Sequence, residues 1–525
     1  MNEQEFWRQL QQEIYQNDGL LDSKWQKIIE IYAQPSLSIR LITQTIYHGP
    51  VYLDDHSSLN FPSVNPELPL SVNQQVALEM ALSNSALSLI VGTSATGKTL
   101  IAKKIANIAV NSNKRLLILT HHCTSLTGYQ NLPTYPFLLS QPLNYQQWII
   151  TQMRMQYLSQ PQMDYLPIYL LPDLELAKLR SPGKLEKWLA NIQQKSHPEL
   201  LSLLQIEFPH LQIQRIELLA DSLKKLESLL KQQLKLSQLY SNLSQLALQE
   251  ISDQIIQNSQ VPILGTVAEF IHPENKYLWQ NNFDIIIIEE SHHLNWIELI
   301  LLAGLTNKLI LIGEDIPQQQ RQYNQTSLFK SFPYVFKYLS QKLLPAYVYR
   351  LKEQYRLHPD IAKQIYSTIS NDWILTQRVT MSYDLPQIQH RLIWNDTPND
   401  LVNQQILKFI LDNNFDLEFL SDIGIITTTV AARDWLKENL PTEFQQIFIG
   451  TIPEWSNREK TLVILNCPGI ENMAPEDTSI FLTRAKDYLI LFGDYNFYLD
   501  SQSSSPISEL LSQSKIYRER LVVLS

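Results

Sequence analysis

The stretch Gly92-Thr-Ser-Ala-Thr-Gly-Lys-Thr99 constrains the fold more than any other. It fits the pattern G-x-x-x-x-G-K-[ST] at each fixed position. A strand-like apolar run, Leu87–Val91, precedes it, and a helical pattern, Leu100–Ala109, follows. Backbone N–H groups of such a loop, with the N-terminus of the helix it opens, present positive potential to phosphate oxygens. The spacing assigns Gly92, Thr93, Ser94, Ala95, Thr96 and Gly97 to a phosphate cradle. Lys98 is then placed to reach the β- and γ-phosphates of a nucleotide such as ATP, and Thr99 to ligate Mg²⁺.

From Leu70 onward, short apolar runs alternate with helical patterns: Leu116–Leu119, Ile285–Ile288, Leu309–Ile312, Ile423–Ile426, Leu462–Leu465 and Tyr488–Phe492. Continuous runs of this length suit strands buried on both faces of a parallel sheet, so the class is α/β. One run, Phe283-Asp-Ile-Ile-Ile-Ile-Glu-Glu-Ser-His-His293, ends in two adjacent glutamates. A phosphate loop needs one carboxylate for the metal and a second to orient or deprotonate water. Glu289 is assigned to the metal and Glu290 to the water. Glutamate in the first place adds one methylene, ~1.5 Å of reach, and Mg²⁺ is demanding of geometry.

A chain of 525 residues is long enough for two to four domains. Charged residues make up 18%, below the usual share of about 25%. A net charge of −10 speaks against nucleic-acid binding by bulk charge but leaves room for a local groove. Two distant cysteines, Cys123 and Cys467, make neither a disulfide framework nor a four-cysteine zinc site. The opening MNEQEFWRQL has no apolar signal core, and no apolar run reaches the ~20 residues of a membrane span. A soluble cytoplasmic protein is expected. The pairs His121–His122 and His292–His293 are not expected to chelate, because neighbours on a strand point to opposite faces.

Residues 1–66 read as a small α+β accessory region. Helical patterns cover Glu3–Gln16 and Leu21–Ala33, a β-like run covers Ile39–Tyr47, HGPVYLDD suggests a hairpin, and the proline-rich Phe61–Leu70 reads as a linker. Residues 67–330 form the first large domain and 331–525 the second. A helical insertion at about 126–260 interrupts the first. Its leucine stripe steps from Ile216 through Leu230 and resumes from Leu236 to Leu246.

Several further stretches stand in the order found in a superfamily 1 helicase core, of the branch that includes the nonsense-mediated-decay helicase. Leu70-Ser-Val-Asn-Gln74 resembles the glutamine motif, which implies that Gln74 reads adenine. Leu117-Ile-Leu-Thr-His121 resembles the first nucleic-acid contact motif, and Glu289-Glu-Ser-His-His293 occupies the place of Asp-Glu-Ala/Ser-x-Gln. Gly313-Glu-Asp-Ile-Pro-Gln318 resembles Gly-Asp-x-x-Gln with its spacing off by one, which makes Gln318 the candidate γ-phosphate sensor. Gln354-Tyr-Arg-Leu-His-Pro359 is similar to Gln-Tyr-Arg-Met-His-Pro almost letter for letter. It implies that Tyr355 stacks on the base and Arg356 reaches the γ-phosphate. Leu482-Thr-Arg-Ala-Lys486 resembles the last motif, with Arg484 as a second arginine finger. Glu459 stands where the family holds the ribose.

The resemblance implies two RecA-like P-loop NTPase domains that hydrolyse ATP with Mg²⁺ in their cleft and move along single-stranded DNA or RNA. It also implies an accessory module in the insertion, and the N-terminal region or the insertion is a candidate protein-binding surface. Departures gather in the second domain. Thr428, Thr429 and Ala432 replace Pro, Tyr and Gln, while Ser456 and Asn457, beside Trp455, replace Gln and Gly. The nucleotide residues are better kept than the nucleic-acid residues. The alternative is therefore a non-unwinding regulatory or scaffold protein that uses ATP as a conformational switch. A small-molecule kinase would leave QYRLHP and LTRAK unexplained.

Overall fold

The structure is a computed structural model. It describes residues 6–51 except 9 and 12–20, 70–129, 132, 136–139, and 195–220 in part. It also describes 261–314 except 281, 335–369, 375–376, 383–513 except 414, 456–457, 470–472, 474 and 501–505, and 517–520. The chain divides into two compact units, residues 1–130 with 264–525, and residues 131–263.

The larger unit is built on two parallel sheets. The first joins β1 (Leu87–Val91), β2 (Leu116–Thr120), β3 (Ile263–Thr266), β4 (Ile285–Ile288), β5 (Leu309–Gly313) and β6 (Val348–Arg350) in the order β3-β2-β4-β5-β1-β6. The second joins β7 (Leu392–Asp396), β8 (Ile423–Thr427), β9 (Phe448–Thr451), β10 (Lys460–Asn466), β11 (Ala485–Gly493) and β12 (Tyr517–Arg520) in the order β9-β8-β10-β11-β7-β12. All seven apolar runs singled out in the sequence are strands. β1, β2, β4 and β5 are buried along their whole length, as helices on both faces of a parallel sheet require. In β10, Val463 and Leu465 enter one hydrophobic core while Leu462 and Ile464 enter the other. The period of two thus feeds both faces.

Parallel strands expose their carboxyl ends together, and the loops there carry function. In the first sheet Gly92, His121, Glu289 and Glu314 each directly follow a strand on that edge, those of β1, β2, β4 and β5.

The N-terminal region departs from the expectation of α+β. Its described residues are helical, with α1 at Leu21–Ala33 and α2 at Leu37–His48. The run Ile39–Tyr47 is β-rich in composition, yet Ser36 caps a helix there by accepting from the Ile39 N–H at 3.2 Å. Ile39, Ile42 and Thr45 are buried together. Tertiary contact decides the matter: Ser36 Oγ donates to Ala303 O at 2.6 Å and Ser38 Oγ to Ala86 O at 2.9 Å. Propensity yields to packing of the apolar face. The second half of the expected hairpin, residues 52–55, lies outside the described residues, as does the linker apart from Leu70.

In the smaller unit a helix spans His197–Glu207 and buries Leu200 and Leu204. Most of the leucine stripe lies outside the described residues. Among the described residues no helix is long and apolar enough to cross a membrane.

Lys308 enters β5 fully buried. Its ammonium donates to Ser83 O at 2.5 Å and Ser85 O at 2.9 Å, at the C-terminal end of α3 (Val72–Leu82). Burial pushes its pKa down to about 7. The unfolded chain then binds more protons than the folded one between about pH 7 and the ordinary lysine pKa, so stability rises with pH across that window. The wild type is expected to gain about 2 kcal/mol between pH 7 and pH 9 relative to Lys308→Met. Urea unfolding of both proteins at the two pH values measures this.

Candidate active site

The glycine-bounded loop of residues 92–97 turns between β1 and α4 (Lys98–Asn111). Two of its residues lie in left-handed backbone, Ala95 at φ 68° and Gly97 at φ 84°. Gly97 is also crowded, since a Cβ there would stand 2.2 Å from Gln74 Nε2. Gln74 comes from α3, whose N-terminus is closed by a reciprocal pair: Gln74 N donates to Ser71 Oγ and Ser71 N to Gln74 Oε1. The Gln74 amide then donates to Thr96 O at 3.2 Å. Both ends of this side chain are committed to the protein, so Gln74 braces the loop here, and it does not line the cavity beside it.

Lys98 folds back over the loop. Its ammonium donates to Gly92 O at 2.8 Å and Thr93 O at 2.7 Å, and it pairs with Glu314 at 2.9 Å. Glu314 was not assigned from the sequence. Burial alone would raise its pKa, but Lys98, His292 and Arg484 outweigh that and hold it below the usual carboxylate range. The signal was the acid after Gly313. Gln318, the candidate sensor by motif position, lies outside the described residues.

The isoleucine strand delivers Glu289 and Glu290 beside the loop. Glu289 is 5% exposed. Its Oε2 accepts from Thr99 Oγ1 at 2.7 Å, and its Oε1 accepts from the buried Tyr129 hydroxyl. Burial, with Glu290 adding, raises its pKa. Glu290 sits at φ 54°, a left-handed conformation that a non-glycine residue rarely holds without a reason. Its Oε2 accepts the backbone N–H groups of His121 and His122 at 3.1 and 3.0 Å, and its Oε1 accepts from Ser125 Oγ at 2.9 Å. Ser291 is structural: it donates to Ile288 O and accepts from Ile312 N, knitting β4 to β5.

Two arginines complete the ring. Arg356 donates to Ser94 Oγ at 3.3 Å and Thr483 O at 3.0 Å, and pairs with Glu459 at 2.6 Å. Glu459 also pairs with Lys486 at 3.0 Å. In this arrangement it steadies Arg356 and does not line the cavity. Arg484 is 8% exposed, and its buried Nε has no hydrogen-bond partner. Burial and the neighbouring Arg356 lower its pKa to about 9. Tyr355 is tied down as well. Its N–H donates to Ala95 O at 3.0 Å, and its hydroxyl lies 2.5 Å from both Ser71 Oγ and Glu353 Oε2. Tyr366, not anticipated from the sequence, donates to Ser94 O at 2.7 Å.

One cavity of about 190 Å³ gathers the loop from Ser94 to Thr99 with both glutamates, Glu314, Arg356 and Arg484. Cationic groups ring a space flanked by three carboxylates. The Thr99 hydroxyl and the Glu289 carboxylate supply hard oxygen donors of the kind Mg²⁺ prefers, so this donor set fits that ion. The two histidine pairs lie far apart in sequence, and the fold brings them together. His121 stacks on His293 with ring centroids 4.2 Å apart. Among the described residues no three His, Cys, Asp or Glu side chains are grouped to hold a metal.

In the second sheet, residues at altered motif positions serve structure. Thr429 caps a helix, accepting from Ala432 N at 3.2 Å. Trp455 is fully buried over Gly424, where a Cβ would stand 2.1 Å from its ring.

No protein-family profile matches the sequence. A curated relative, the probable helicase senataxin from mouse (Mus musculus), is 24% identical over 260 residues. The match covers 42% of this chain and 10% of senataxin, so the chain spans about a tenth of that relative. Among solved structures, the PRRSV helicase shares 11% identity at a TM-score of 0.32, over 80% of this chain and 54% of that one. The arterivirus nonstructural protein 10 helicase, in complex with DNA, shares 10% at 0.35, over 84% and 66%. TM-scores this low carry no weight for fold or function.

Gly97→Ala is expected to lower the unfolding free energy by about 1–2 kcal/mol from left-handed backbone alone. It should also displace Gln74. Urea unfolding beside the wild type checks this.

Proposed function

We propose that the chain is an ATP-dependent helicase or translocase acting on single-stranded nucleic acid, with ATP held between two RecA-like domains. The observation that carries this reading is the convergence on one cavity of Lys98, the two glutamates, Arg356 and Arg484. Arg484 in particular is a buried cation whose Nε lacks an acceptor. A buried donor with no acceptor is costly, and an anionic ligand that accepts from it would relieve that cost.

In this reading Lys98 leaves Glu314 and the loop carbonyls to meet the β- and γ-phosphates. Thr99 and Glu289 hold Mg²⁺, which when bound neutralises charge on the phosphate oxygens. Glu290 orients the attacking water. It must exchange one of its present contacts, most readily Ser125 Oγ, to accept a proton there. Arg356 and Arg484 stabilise charge on the transferred phosphoryl group. Residues 131–263 serve as the accessory module, and the N-terminal helices or that module offer a protein contact.

A second reading, a nucleotide-driven switch that does not unwind, draws support from Thr429, Ala432 and Trp455. These residues, at or beside altered motif positions, serve a helix cap and a core.

Steady-state ATP hydrolysis with and without single-stranded DNA and RNA tests the proposal. Stimulation by a strand is expected, with a loss of roughly 100-fold or more in Lys98→Ala and in Glu290→Gln. Hydrolysis indifferent to either strand, with ATP still bound, would instead favour the switch. Glu314→Gln removes the anion that competes for Lys98, so ATP should bind about tenfold tighter, a gain of about 1.4 kcal/mol by calorimetry.

A further inference from the structure

We propose that Tyr129 is the positioning residue that fits a glutamate at 289, rather than an aspartate, to a divalent cation beside Thr99. The inference rests on the nucleotide-site reading above and extends it to a residue outside the motifs.

A glutamate at the end of β4 carries one more torsion than an aspartate, so its carboxylate can sweep a wider arc. Here the sweep is stopped at both oxygens. Oε2 accepts from Thr99 Oγ1 at 2.7 Å, and Oε1 accepts from the Tyr129 hydroxyl. Tyr129 is 1% exposed and ends the 3₁₀ turn Cys123–Tyr129. It stands 160 residues away in sequence from the carboxylate it holds. With Oε1 pinned in the core, Oε2 is the oxygen presented on the Thr99 side. The same stretch of chain grips the neighbouring acid through His121 N, His122 N and Ser125 Oγ. Both carboxylates therefore take their bearings from residues 121–129. An aspartate at 289 would be too short to span Thr99 and Tyr129 together. Glutamate and tyrosine form a matched pair.

Binding of a non-hydrolysable ATP analogue, titrated with Mg²⁺ and measured also in EDTA, tests the pairing. Tyr129→Phe is expected to raise the Mg²⁺ midpoint roughly tenfold while leaving metal-free affinity unchanged, because a hydrogen bond to a charged group is lost without moving the loop. Glu289→Asp should raise the midpoint similarly, since it leaves Tyr129 behind. In the Glu289→Asp background the further change Tyr129→Phe should shift the midpoint less than about twofold, as coupled residues require.

An unchanged midpoint in Tyr129→Phe, or wild-type Mg²⁺ binding by Glu289→Asp, overturns the pairing and leaves the proposed activity standing. Loss of metal-free binding in Tyr129→Phe overturns it too, by showing a general support of the loop. Analogue binding by the wild type with no Mg²⁺ dependence would remove both the pairing and the metal role of Glu289.

Discussion

Four isoleucines fix where two negative charges must stand. Ile285–Ile288 are fully buried between β2 and β5, paired in register with Leu116–Leu119 on one side and, over Ile286–Ile288, with Leu309–Leu311 on the other. Nothing in that strand can slide without dragging apolar surface into water or carboxylates into the core. Glu289 and Glu290 therefore emerge at the sheet's carboxyl edge, beside the loop that follows β1. Both carboxylates are met there by hydrogen-bond donors.

The donors are divided with little overlap. Thr99 and Tyr129 serve Glu289, while two backbone N–H groups and Ser125 serve Glu290. Lys98 serves Glu314. Arg356 is matched by Glu459, while Arg484 is left with a buried Nε that nothing accepts from. Three cationic side chains, Lys98, Arg356 and Arg484, and three carboxylates, Glu289, Glu290 and Glu314, line the same cavity.

Much of this was legible in one dimension. The loop, its flanking strand and helix and the isoleucine strand with its acids are local patterns, and local backbone chemistry makes them recognisable. The α2 helix is not legible in one dimension: its β-branched residues suggest a strand, while Ser36 and Ser38 at its start hydrogen-bond to residues 303 and 86. The Gln74 amide is bonded to Ser71 and Thr96, and Glu459 is paired with Arg356, contacts that the motifs do not announce.

The glycine-bounded loop, the parallel strands and the position of the acid pair can be read in one dimension, because each depends on neighbours a few residues away. Which side chains complete them is a matter of how the elements pack. Tyr129 and Ser125 carry no motif and Glu314 has no assigned role in one, and their partners lie between 160 and 216 residues away. A hydrogen bond forms only at about 3 Å, and that distance is set by how sheets and turns pack, not by spacing along the chain.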